Sequence, residues 1–215
     1  MARRYAGWSG IAAAVLFGVG SGIWGLDMPE PGSAASEVVR FYEDTADRIV
    51  VGATLSLLGI AAFVAFAAGL RRVLAEAEGD DLLATTAFGG AVLGMAAGIG
   101  AETINMSAAL RARDGDLSDA LAQPLFEASQ ALGSTASAVG VGVFAVATAV
   151  AMLRTGAVAP RWAAVLTLLV GIVLLTPLGR VQELAGASMV LLGLVVGMPL
   201  LRRPDEFARP GRSTT

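Results

Sequence analysis

The sequence predicts an all-α fold: a polytopic membrane bundle of six transmembrane helices with both termini on the cytoplasmic side. Three observations carry that reading. The 215 residues are 55% hydrophobic and only 15% charged, well below the roughly one-quarter charged share of soluble domains. The apolar residues fall into six runs near the length of about 20 residues that a helix needs to cross a bilayer. The arginines, finally, cluster at one set of run ends.

The six runs set the predicted spans at about 6–25, 49–70, 82–110, 126–153, 162–179 and 184–201. The first follows the start "ARR", yet its apolar stretch exceeds the h-region of a signal peptide, so it is read as a retained span. The doublets Arg3-Arg4, Arg71-Arg72 and Arg202-Arg203 flank spans directly, together with Arg154 and Arg161. With those on the inside, Arg40, Arg48, Arg111, Arg113 and Arg180 fall outside, a bias that favours N-in, C-in. Trp24 and Trp162 sit near opposite span ends, as an aromatic belt would place them. Residues 1–203 form one membrane domain, and the tail 204–215, with Pro204 and Pro210, is expected to be disordered.

The longest outer loop, 27–48, opens with the turn-forming "DMPEPGS" and continues into an amphipathic segment. There Val38, Phe41, Tyr42 and Ile49 share one helical face, which predicts a helix lying on the outer surface and running into span two. The second outer loop, "RARDGDLSDALAQP", is polar, with Gly115 and Pro124 as breakers. "GATLSLLGI" from Gly52 resembles "GASMVLLGL" from Gly186, and these spans point the same way, as a duplicated hairpin would. Glycines such as Gly18, Gly20, Gly22 and Gly25, or Gly90, Gly94 and Gly98, are expected to let helices pack closely.

Composition removes several chemistries. Cysteine, histidine and lysine are absent, which excludes disulfides, thiolate nucleophiles, Ser-His-Asp triads and Cys/His zinc or haem ligation. No metal or cofactor is called for. A net charge of -3 without a basic patch argues against nucleic acid. The partners expected are membrane lipids and an isoprenoid or other amphiphilic ligand, and the location is the cell membrane.

The polar residues within the spans are unevenly placed. The outer halves supply Asp27, Glu102, Asn105, Glu127, Gln130, Arg180, Gln182 and Glu183, whereas the inner halves are almost purely apolar. Ionisable residues inside a membrane usually face the bundle interior and mark function. Residues at span ends can equally just meet water and headgroups, and that reading stands for Asp27, Glu127, Glu183 and Arg180. Glu102 differs, because apolar sequence continues past it to Leu110. Asn105 and Met106 lie one turn on and are expected on its face.

Two resemblances bear on function. The segment "EVVRFYEDTADRIVVGATLSLLGIAAF", followed by "LRRVLAEAEG", looks like uncharacterised six-helix membrane proteins of actinobacteria. That family implies a lipid-binding, sensing or scaffold role without catalysis. The architecture and the intramembrane acids also resemble the small integral-membrane terpene cyclases. This second resemblance implies a metal-independent, acid-initiated cyclase or isomerase, in which a protonated carboxyl starts cyclisation of an isoprenoid. Its catalytic acids would be Glu102, Asp27 and Glu127, and Trp24, Asn105, Met106, Gln130, Arg180 and Glu183 would touch the substrate. Transport is disfavoured, since no span pairs charges at its midplane. An enzyme predicts an enclosed cavity with Glu102 pointing into it; a scaffold predicts a solid bundle.

Overall fold

The computed structural model describes residues 1–79, 81–156, 158–177 and 182–201, apart from the side chains of 182–185. The chain is all-α, with no strand among the described residues. The helices are α1 (Ala2–Gly25), α2 (Ala35–Glu78), α3 (Leu82–Arg113), α4 (Asp119–Thr155), α5 (Arg161–Leu175) and α6 (Gln182–Leu201). Helix α4 holds a π-helical turn at Ala131–Ala136. Arg180, and the tail 204–215, lie outside the described residues, as does the side chain of Glu183.

Four helices, α1 to α4, are long and apolar enough to cross a membrane. The six-span expectation is therefore met only in part. Helix α5 has 15 residues, or roughly 22 Å at 1.5 Å per residue, short of a hydrocarbon core of about 30 Å. It stops at Leu175 rather than at 179 because Thr176 precedes Pro177 and is extended, with φ -95° and ψ 169°, as the residue before a proline prefers to be.

Consecutive helices run antiparallel, and glycines set how closely they approach. A Cβ on Gly20 would lie 2.6 Å from the Gly52 carbonyl oxygen and 2.7 Å from Ser56 Oγ. One on Gly59 would meet the Phe17 nitrogen at 2.6 Å. Between α1 and α6, Gly193 faces the Gly10 carbonyl and Gly197 that of Gly7. The two similar segments beginning at Gly52 and Gly186 thus flank α1, and their equivalent glycines, Gly59 and Gly193, both press on it. Gly90 and Gly94 on α3 abut the backbone of α4 at Gly140, Phe144 and Val141. Gly171 on α5 closes on Val146.

The molecule has two packed cores. The larger joins all six helices around Phe63, Phe66 and Phe144, whose rings meet edge to face, Phe63 and Phe144 at 5.2 Å. The second lies at the opposite end from the N-terminus, hereafter the distal end. It is built from Val38, Phe41, Tyr42, Ile49, Ala108, Ala112, Leu117 and Phe126, with Trp24.

The second core corrects two expectations. The amphipathic face Val38, Phe41, Tyr42 and Ile49 is buried as predicted, but the segment does not lie flat. It begins at Ala35 and continues unbroken to Glu78, so it rises with α2 and packs on α3 and α4. Pro124 does not break a loop either; it sits inside α4, which starts at Asp119. Only the Ala120 carbonyl, four residues back in the first turn, loses a donor to it.

The end that carries the N-terminus also carries Gly79, Asp81 and residues 158–160. Arg3 donates to the Val158 carbonyl there. Gly79 caps α2 in the left-handed conformation (φ 72°), its N–H bonded to the Ala75 carbonyl. Arg71 pairs with Asp81. The Arg71 hydrogen bond, aided by Thr85, holds the Asp81 carboxyl below its ordinary range.

Candidate functional site

Where the two cores meet, α1, α3, α4 and α6 do not close on one another. They leave a half-open chamber of about 1160 Å³, larger than the 300–1,000 Å³ typical of small-molecule pockets. Its walls are mostly apolar or small: Phe17, Gly18, Gly22 and Gly25 from α1, Ile60 from α2, Met95, Gly98 and Ala101 from α3, and Met189, Val190 and Leu194 from α6. The loop residues Met28, Pro29, Glu30 and Pro31 cover its distal end. Gln130 ties that loop to α4 by donating to Met28 Sδ.

Polar groups converge on one side. Glu102 and Asn105, one turn apart on α3, both line the chamber, and Glu102 is only 7% exposed. Its Oε2 has no hydrogen-bond partner. Ser56 on α2, fully buried, is the polar side chain that faces the Glu102 carboxyl. A buried carboxyl without full pairing is costly, so its retention in a cavity wall points to use. Asn105 is fixed instead: Tyr42, wholly buried in the distal core, donates its hydroxyl to Asn105 Oδ1 at 2.9 Å. Ser129 stands next to Tyr42 and completes a link from α2 through α3 to α4.

The π turn of α4 shapes the third wall. A π turn inserts an extra residue into a helix and re-aims the side chains on either side of it. Here it sets Gln130, Gly133, Ser134 and Ser137 on the chamber, with the Ser134 hydroxyl returned to the Gln130 carbonyl.

The sequence-derived site residues separate cleanly. Glu102, Asn105, Gln130 and Trp24 line the chamber together. Trp24 is buried, with its indole nitrogen unpartnered, so it is a wall of the site and not a belt residue at the lipid boundary. Trp162, 61% exposed, fits that belt role. Asp27 lies outside: it is paired with Arg48 at 2.9 Å and half exposed. It lines a charged surface cavity with Glu37, Arg40 and Asp44, which adjoins the chamber across Met28, Pro29 and Glu30. Glu127 is exposed and accepts from Gln123. Met106 is half-buried away from the chamber. Asn105 and Met106 lie on opposite sides of Glu102 around the helix, about 60° and about 40° away, and the chamber lies on the Asn105 side with Gly98 and Ala101. Arg180 and the Glu183 side chain fall outside the described residues.

Sequence reasoning missed Ser56, Ser129, Met28 and Glu30. Ser56 had a faint signal as a polar residue in the apolar run "ATLSLLGI". Among the described residues no group of three His, Cys, Asp or Glu side chains could hold a metal ion. No protein-family model, curated protein or solved structure matches the chain.

Proposed function

We propose that the chain is a multi-pass membrane protein, spanning six times with both termini inside, that binds a lipid-like amphiphile in the chamber. The observation that carries this reading is a large apolar cavity between helices with one buried, half-unpartnered carboxyl, Glu102, in its wall. A scaffold has no need of such a gap, because helices in lipid associate through close packing and every unfilled space forfeits contacts.

The orientation rests on the arginines at the end shared by the N-terminus, Gly79 and Asp81, and residues 158–160: Arg3, Arg4, Arg71, Arg72, Arg154 and Arg161. The absence of native cysteine makes this directly testable. Ser33→Cys in the distal loop should react with a membrane-impermeant maleimide added to intact cells. Gly79→Cys should react only after lysis, and the reverse pattern would invert the topology.

A second reading adds chemistry: Glu102 delivers a proton to an alkene carbon or an epoxide oxygen of a bound isoprenoid. Glu102 is in reach of the chamber, and the aromatic faces of Phe17 and Trp24 line the same space, where they would stabilise a developing cation. Glu102→Gln keeps the shape and removes the acid. Membranes carrying it should still bind an amphiphilic probe but lose turnover of prenyl substrates by about 10²-fold or more. Turnover unchanged by Glu102→Gln would end the catalytic reading and leave the binding one standing.

A further inference from the structure

The way into the chamber is written in how α1 meets α6. Near the N-terminal end the two helices touch backbone to backbone, at Gly7 with Gly197 and Gly10 with Gly193. At Gly18 the contact has passed to a side chain, Val190, at 3.2 Å. Beyond it, among the described residues, a Cβ built on Gly22 or Gly25 meets nothing within 4 Å, although both residues line the chamber. Across from them, one built on Gly186 meets only the edge of the Phe17 ring, at 3.7 Å. Gly22 on one side of the cleft and Ala187 and Leu191 on the other are at once chamber wall and outer surface. On the membrane-spanning reading, that surface faces the lipid of the distal leaflet.

The polar wall restricts what can enter. Among the described residues that line the chamber the ionisable groups are two carboxyls, Glu102 and Glu30, and there is no arginine. A phosphate or diphosphate head would bring its charge into a low-dielectric site whose described lining holds no cation to offset it. A hydroxyl has no such penalty and can hydrogen-bond to Glu102 Oε2, which has no partner in the protein.

We propose that the chamber is loaded sideways from the distal leaflet, through the cleft between α1 and α6 above Gly18, by an uncharged amphiphile whose hydroxyl head reaches Glu102. This rests on the binding function proposed above and adds a route and a head-group class to it.

The test uses the full chain in nanodiscs. The probes are a sixteen-carbon alcohol with a mid-chain diazirine and the phosphate monoester of the same molecule. After photolysis, labelled peptides are located by mass spectrometry. The cleft is then barred without filling the chamber, by joining Gly22→Cys to Leu191→Cys with a reducible bifunctional thiosulfonate. A second pair, Gly25→Cys with Ala187→Cys, serves should the first fold poorly. A control pair, Gly89→Cys with Val92→Cys, lies on the exposed face of α3 away from the chamber.

The alcohol should label chamber peptides around Glu102 and Ser134 at least about tenfold more than the phosphate ester. Bridging the cleft should lower that labelling about tenfold and reduction should restore it, while the control bridge changes nothing. Equal labelling with the cleft bridged overturns the sideways route and leaves the binding chamber intact. Equal labelling by the phosphate ester overturns the uncharged head. Failure of both probes to label chamber peptides in the unmodified chain overturns the binding function itself.

Discussion

Gly140→Leu is expected to be the most damaging single substitution in the molecule. A Cβ on Gly140 would fall against the backbone nitrogen and Cα of Gly94 and within 2.8 Å of the Gly90 carbonyl. Those are main-chain atoms of a facing helix, so no rotamer change relieves the clash; α3 and α4 must separate. Overpacking of cores costs about 1–3 kcal/mol when side chains can yield, and here the cost should exceed about 3 kcal/mol. The same replacement at Gly89, whose Cβ meets nothing within 4 Å, should shift stability by less than about 0.5 kcal/mol. Thermal unfolding in one detergent, followed by circular dichroism, compares the two. Similar midpoints for Gly140→Leu and wild type would mean that α3 and α4 are not packed at this glycine contact.

Deletion of Gly133 should have the next largest effect, and a different one. One residue fewer in the π turn allows α4 to become regular; the lost residue and the lost bulge offset each other, so the two parts of α4 keep their faces and the change is confined to the turn. Gly140 and Gly171 keep their contacts, so the larger core survives. Phe126 and Ala122 stay in the distal core and Ser129 stays beside Tyr42, but Gly133 is lost from the chamber wall and Ser134 is drawn into a regular turn. The variant should therefore insert and remain helical yet lose labelling by the alcohol probe by about tenfold or more. Undiminished labelling would show that the π turn does not shape the binding wall.

The legibility of these features in the sequence follows from their physics. The four long apolar helices were readable because length and hydropathy are properties of one helix at a time. The buried face at Val38, Phe41, Tyr42 and Ile49 was readable for the same reason. Glu102 and Asn105 stood out because an acid inside an apolar run has few harmless explanations. The glycines of α1 are instructive. Gly18, Gly22 and Gly25 recur at the spacing of one helical face and line the chamber, whereas Gly20, on another face, packs against Gly52. The sequence showed the faces but not their neighbours, and so all four were expected to pack. Ser56 beside Glu102 and the Tyr42 bond to Asn105 depend on register between helices, which no single-helix pattern encodes. The π turn carries no proline and no unusual composition, so nothing in "ALGSTA" announces it.

The gap between the two cores has a thermodynamic corollary. A molecule that fills it displaces no packed side chain, so its binding free energy adds almost entirely to the native state. At a hundredfold excess over its dissociation constant an occupant stabilises the fold by about 2.7 kcal/mol. Melting temperature thereby becomes a detector for the natural ligand: lipid extracts fractionated by polarity can be ranked by how far each raises it, before any reaction is known.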